Sequence, residues 1–144
     1  MSFTAIVLAG SRPGRDAFAE SLGTDLKALI SVAGEPMVRW PVQALLASKC
    51  VGRIIVLTQA PERIGAVLPD DPRIRLRNSA GTIAETMLGL IEDKQLEWPL
   101  LVTTADHALL DAAMVDEFSR EAAGADVAIG VVERGNLIDR KSVV

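Results

Sequence analysis

The sequence predicts a doubly wound α/β domain on a mostly parallel sheet, and three observations carry that reading. Short apolar runs of strand length alternate with stretches of helical periodicity, in the order strand, helix, strand, helix. Several runs are almost continuously apolar, as strands buried on both faces require. The chain has 144 residues, which suits one domain with a core that buries most of its apolar surface.

Phe3 to Ala9 (FTAIVLA) ends at Gly10 and reads as the first buried strand. Residues 10–26 mix Gly, Pro, Arg and Asp with little apolar relief and read as a long loop, a feature that in a compact domain is usually functional. Leu29 to Val32 reads as a short extended piece before a turn at Gly34. Pro36 suits a helix start, with Val38, Val42, Leu45 and Leu46 forming the apolar stripe; Pro41 predicts an irregular first turn. Arg53 to Thr58 (RIIVLT) is the second strand, and Pro61 opens a short helix that the Pro69-Asp70-Asp71-Pro72 cluster closes. Arg73 to Arg77 (RIRLR) alternates strictly, which predicts an edge strand whose arginines discourage pairing with another chain.

Ser79 is expected to cap a helix carrying Ile83, Met87, Leu90 and Ile91 on one face. Leu100 to Thr104 (LLVTT) is the fourth strand, with Asp106 just past its end. Asp111 caps the next helix, which turns Met114, Val115, Phe118 and Ala122 inward and stops at Gly124. Asp111, Asp116, Glu117 and Glu121 read as its solvated face, and Val127 to Val132 (VAIGVV) as a fifth strand.

Composition excludes several classes of function. Aromatic residues are scarce (two Trp, three Phe, no Tyr), which removes the stacking platforms of single-strand binders. The net charge is −4 and no basic run could neutralise a row of phosphates, so no nucleic-acid partner is expected. Cys50 is the single cysteine, which rules out an intramolecular disulfide and a cysteine-based zinc site; it reads as a small buried hydrophobe. No segment approaches the roughly 18 apolar residues of a membrane span, so no membrane partner is expected and the cytoplasm is the default compartment.

In an open parallel sheet, ligands bind beyond the carboxyl ends of the strands, where strand order reverses. Two such ends carry chemistry: the first strand delivers Gly10, Ser11, Arg12, Gly14 and Arg15, and the fourth delivers Thr104, Ala105, Asp106 and His107. If the two strands are neighbours, a glycine-bearing loop with N–H and guanidinium donors faces a hard oxygen ligand, as a triphosphate with Mg²⁺ requires. Two better-known phosphate motifs fail. Walker A needs Gly-Lys-Ser/Thr at the loop's close, where Arg15 stands, and Arg12 interrupts the dinucleotide fingerprint G-x-G-x-x-G.

The combined pattern L-A-G-S-R-P-G-R (8–15) and L-K-A-L-I-S-V-A-G-E-P-M (26–37) closely resembles the opening signature of the MobA-like nucleotidyltransferases. Members carry L-A-G-G-x-G-x-R, a spacer, then P-K-x-L-x-x-V-x-G-K-P-M. The resemblance covers residues 3–132. It implies a Rossmann-like sheet of the nucleotide-diphospho-sugar transferase type, in which the loop from Leu8 and Ala9 through Gly10, Ser11, Gly14 and Arg15 holds the triphosphate. Arg12 or Arg15 would meet the β- and γ-phosphates, Arg12 being favoured, and Lys27 would neutralise charge on the α-phosphate. N-S-A-G-T-I-A-E-T-M (78–87) resembles the base and ribose region, with Ser79, Gly81 and Thr82 as candidates. V-T-T-A-D-H-A-L-L (102–110) resembles the strand end whose aspartate holds Mg²⁺, here Asp106.

The implied reaction is in-line attack by an acceptor oxygen on the α-phosphorus of an NTP of CTP or GTP type, with pyrophosphate leaving. A small molecule would be the acceptor. Departures are Ser11 for the second glycine, Asp25 or Leu26 for the proline before the lysine, and Ala108 for a frequent proline. Ser11 still offers a backbone N–H. His107, the single histidine, reads as a hydrogen-bonded loop residue. Family members continue further, so residues 1–132 are taken as the nucleotide-binding domain and 133–144 as a tail that is cut short or foreign to the family. A sheet ending there invites a homodimer or poor solubility. A nucleotide-holding module without turnover, and a regulatory domain with a decayed site, stay open beside the transferase.

Overall fold

The computed structural model describes residues 2–11, 14–79, 81–92 and 96–131. In chain order its elements are β1 (Phe3–Leu8), α1 (Ala17–Ser21), a 3-10 turn (Lys27–Leu29), β2 (Ser31–Val32), β3 (Glu35–Pro36) and α2 (Arg39–Ala47). There follow β4 (Val51–Thr58), α3 (Pro61–Gly65), β5 (Ile74–Asn78), α4 (Ile83–Glu92), β6 (Leu100–Thr104) and α5 (Ala112–Glu121). The main sheet is parallel, in the order β5-β4-β1-β6. The chain steps outward from β1 to β4 to β5, then crosses back to place β6 on the other side of β1. Strand order therefore reverses between β1 and β6, the neighbours that the sequence reading required.

Side chains alternate across the sheet and divide the core into two layers. Ala5, Val7, Ile54 and Val56 pack under α2, α3 and α5 with Val38, Val42, Leu45, Ile64 and Val115. Ile6, Ile55 and Leu57 point the other way, onto Leu90 and Met87 of α4. β5 lies at the edge as expected, with exposed Arg75 and Arg77 alternating with half-buried Ile74 and Leu76.

Several expectations need correction. The 10–26 segment holds a short helix, α1, because the Asp16 carboxylate accepts from the N–H groups of Phe18 and Ala19 and so caps its first turn. The helix expected from Pro36 starts at Arg39, since Glu35 and Pro36 pair with Ser31 and Val32 in a hairpin. That hairpin turns through Ala33 and Gly34, with φ of 50° and 84°, the paired positive values of a type I′ turn. Pro41 falls in the first turn of α2, where an N–H has no intrahelical partner anyway, so it breaks nothing.

The cap of α4 is Thr82 and not Ser79. Thr82 Oγ1 accepts from the Glu85 N–H at 3.2 Å, and Glu85 Oε2 accepts from the Thr82 N–H at 2.8 Å, a reciprocal capping box. The predicted stripe on α4 is split, because Ile83 and Ile91 are 58% and 43% exposed while Leu90 and Met87 meet the sheet. On α5, Asp111 accepts from the Met114 N–H as expected, but Met114 is half-exposed and Val115 and Phe118 carry the packing.

Asp116 does not belong to a solvated face. Its Oδ1 accepts from Ser48 Oγ (2.6 Å), the Lys49 N–H (3.0 Å) and Cys50 Sγ (3.0 Å), joining the end of α2 to α5. These donors, Ser48 Oγ first, hold its carboxyl below the usual aspartate range. Cys50 packs against the core as expected, and its thiol has this polar partner as well.

The fifth strand is absent at 127–131, and position 132 lies outside the described residues. Apolar content alone predicted it, but a strand needs a neighbour, and Val127, Ile129 and Val131 are 79%, 78% and 83% exposed. Among the described residues, no helix is long and apolar enough to cross a membrane.

Candidate active site

Beyond the carboxyl ends of β1, β4 and β6 lies a cleft of about 820 Å³. Leu8, Ala9, Gly10, Ser11 and Arg15 line it from the β1 side, and Lys27 from the 3-10 turn. Ser79, Gly81 and Thr82 line it after β5, and Thr104 and Asp106 at the end of β6. Residues distant in the chain are thus gathered by the reversal of strand order. Gly14, with φ of 106°, is not among the lining residues, and Arg12 lies outside the described residues.

Backbone bonds fix the floor. The Ala9 N–H donates to Leu57 O at 2.8 Å and the Ala105 N–H to Leu8 O at 3.0 Å, so the end of β1 is held from both sides. Lys27 Nζ donates to Asp106 Oδ2 at 2.6 Å, and Thr104 Oγ1 to Asp106 Oδ1 at 2.6 Å. Lys27 first, then Thr104, holds the Asp106 carboxyl below the usual aspartate range. Both ion-pair partners are nearly half-exposed, at 44% and 45%, so the pair contributes little stability, typically about 0–1 kcal/mol for such contacts. Its interest is chemical: a cation and a carboxylate meet in an open cleft.

The segment before Lys27 is anchored by Asp25, whose two carboxylate oxygens take Arg63 of α3 at 2.7 and 3.0 Å. This bidentate pair sits two residues before Lys27 and restrains the chain there by charge and geometry. Arg15 donates from Nε to Glu20 at 2.7 Å, so its guanidinium is already engaged. Ser79 Oγ lies 3.2 Å from Thr86 Oγ1. His107 stands outside the cleft lining, 3.3 Å from Thr103 Oγ1. Arg73, Arg75 and Arg77 border a separate hollow of about 530 Å³.

Ser11 departs from expectation. Its N–H is not offered to the cleft but donates to Gln59 Oε1 at 2.9 Å. Sequence reading missed Gln59, and it placed Thr104 at the strand end without giving it a role. Thr104 stood two residues from Asp106 and could have been found as a hydroxyl partner; Gln59 carried no local signal.

Among the described residues, no group of three or more His, Cys, Asp or Glu gathers to hold a metal. Mg²⁺ bound to a triphosphate usually keeps waters and takes one or two carboxylates plus phosphate oxygens. Asp16 and Asp106 are the carboxylates in the cleft lining; Asp16 Oδ1 caps α1, and Asp106 Oδ2 meets Lys27.

Solved transferases share this architecture. A hypothetical transferase from Thermus thermophilus matches with a TM-score of 0.65 at 30% identity, over 87% of this chain and 48% of that one. A 4-diphosphocytidyl-2C-methyl-D-erythritol synthase from Anaerococcus prevotii matches with a TM-score of 0.65 at 14% identity, over 93% and 60% respectively, a likeness of fold alone. Fold and cleft together define a nucleotide-diphospho-sugar transferase type of α/β domain. The chain belongs to the MobA-like NTP transferase domain family, whose profile matches residues 5–138. A curated relative, the 2-C-methyl-D-erythritol 4-phosphate cytidylyltransferase of Bordetella petrii, is 32% identical over 110 residues, covering 71% of this chain and 49% of that protein. The chain thus spans about half the length of that relative.

Proposed function

We propose that this domain binds an NTP with Mg²⁺ and supplies the nucleotide side of a nucleotidyl transfer to a small acceptor, with pyrophosphate as leaving group. The Lys27–Asp106 pair in the cleft carries this reading. A triphosphate entering there would offer Lys27 an anion and Asp106 a metal, so that each partner exchanges the other for a ligand of the same sign. Lys27 would then sit on the α-phosphate, where negative charge grows as the acceptor oxygen forms its bond to phosphorus and the bond to pyrophosphate breaks. Asp106 would hold Mg²⁺, whose chemistry is to neutralise phosphate charge and orient the triphosphate. Gly10 and Ser11 would border the phosphates, and Ser79, Gly81 and Thr82 the nucleoside. The cytidylyltransferase relative supports CTP as the first nucleotide to try, with GTP second.

Calorimetric titration of the chain with Mg·CTP and Mg·GTP tests the binding half of this reading. Saturable one-site binding is expected, and absence of heat with either nucleotide overturns it. Pyrophosphate release in the presence of candidate acceptor phosphates and alcohols separates a transferase from a module that only holds nucleotide.

We also expect self-association. Among the described residues β6 pairs only with β1, and Val102, Trp98 and Leu88 are 51%, 66% and 58% exposed. Light scattering at high protein concentration should give a dimer or larger species; a clean monomer would reject the expectation.

A further inference from the structure

We propose that Gln59 is a positioning residue for the nucleotide loop, its side-chain amide continuing the β1–β4 ladder to fix the backbone of Ser11; this rests on the nucleotide-binding reading above. The ladder pairs Leu8 with Leu57 and closes with the Ala9 N–H on Leu57 O. The strand register ends at Leu8 and Leu57. Gln59, the first residue past β4, takes over with its side chain. Oε1 accepts from the Ser11 N–H at 2.9 Å, and Nε2 donates toward Ser11 O at 3.4 Å.

The side-chain amide offers Ser11 one acceptor and one donor, so both polar groups of its backbone meet a partner at the end of β4. Gly10 leaves the room for it: a Cβ at that position would stand 3.0 Å from both Nε2 and Oε1. Glutamine is also the residue type that chemistry selects here. Glutamate matches its shape but has no donor for Ser11 O, and it would bring a negative charge to the wall that the triphosphate would face. Asparagine is one methylene shorter. Gln59 lines the same cleft as Gly10, Ser11, Lys27 and Asp106, so a loop it holds is a loop organised before ligand arrives.

The test compares wild type, Gln59→Ala and Gln59→Glu in the 144-residue chain, each titrated with Mg·CTP and Mg·GTP, with amide hydrogen exchange followed at Ser11. The Ser11 amide should be protected in wild type and exchange about tenfold faster in Gln59→Ala, while the nucleotide Kd rises about five- to tenfold, the usual weight of one such hydrogen bond. Gln59→Glu should raise Kd further than alanine does, which a merely space-filling role would not produce. Melting temperatures should stay close to wild type. A Kd in Gln59→Ala within roughly twofold of wild type overturns the proposal, as does unchanged Ser11 exchange. If wild type binds neither nucleotide while Ser11 stays protected, the nucleotide reading itself falls and takes this one with it.

Discussion

Lys27→Ala is expected to lower kcat by about 10²–10³-fold, the range for losing one preorganised electrostatic donor, with a smaller change in KM. During nucleotidyl transfer, charge accumulates on the α-phosphate oxygens as the acceptor approaches. A cation held there stabilises the transition state more than the ground state, so its loss is felt in rate before affinity. The ammonium is set beside Asp106, on the first residue of a 3-10 turn that starts at Lys27 and follows the Asp25–Arg63 pair. Lys27→Arg should recover only part of the rate, because a planar guanidinium does not replace a compact ammonium at a single oxygen. Steady-state kinetics in a polypeptide that turns over, with its own acceptor, decides the matter. A change below roughly twofold would leave Lys27 as a surface lysine that happens to meet a carboxylate, since surface substitutions usually act within about 0.5 kcal/mol.

Asp106→Ala is expected to weaken NTP binding in Mg²⁺ by at least about tenfold, since even outer-shell changes at metal sites cost 10–100-fold. Without Mg²⁺ the sign should differ. Wild-type Lys27 is occupied by Asp106, so removing the carboxylate frees a cation for phosphate, and affinity in a chelator should hold or rise. Titration of both proteins with and without Mg²⁺ tests this; equal affinities in Mg²⁺ would make Asp106 a strand-end cap.

The pH dependence has a defined sign. The Asp106 carboxyl is held below its ordinary value of 3.8 in the folded protein, so the associated stabilisation is present above 3.8 and is lost as pH falls through the folded value. Metal-linked affinity should therefore be flat with respect to Asp106 through neutral pH. Lys27→Ala removes the largest cause of the depression and should shift the acid limb upward.

The four strands of the main sheet, their parallel arrangement and the meeting of Gly10 with Asp106 were legible because the ends of β1 and β6 were marked in sequence, by a glycine at one and a carboxylate at the other. Burial on both faces leaves a hydrophobic run that cannot be mistaken for loop. Contacts across the fold were not legible. Ser11 and Gln59 are 48 positions apart, and only the β1–β4 pairing makes them neighbours. The caps of α1 and α4 were written locally, as Asp16 before Ala17 and as Thr82 with Glu85, but nearer apolar periodicity drew the boundary to Ser79. Residues 127–131 fail for the opposite reason: their composition fits a strand, yet composition says nothing about whether a partner is present.

Asp116 bears on how the surface could be redesigned. An acidic residue on the outer helix of an acidic protein is the natural choice when charges are recoloured to improve solubility or crystal growth. Here that exchange would strip acceptors from three consecutive residues at once, Ser48, Lys49 and Cys50. Glu117 and Glu121, whose carboxylates meet Arg120 in exposed pairs, tolerate recolouring far better. Mutational tolerance on this helix is therefore set by what each carboxylate holds, and two adjacent acids stand at opposite ends of that scale.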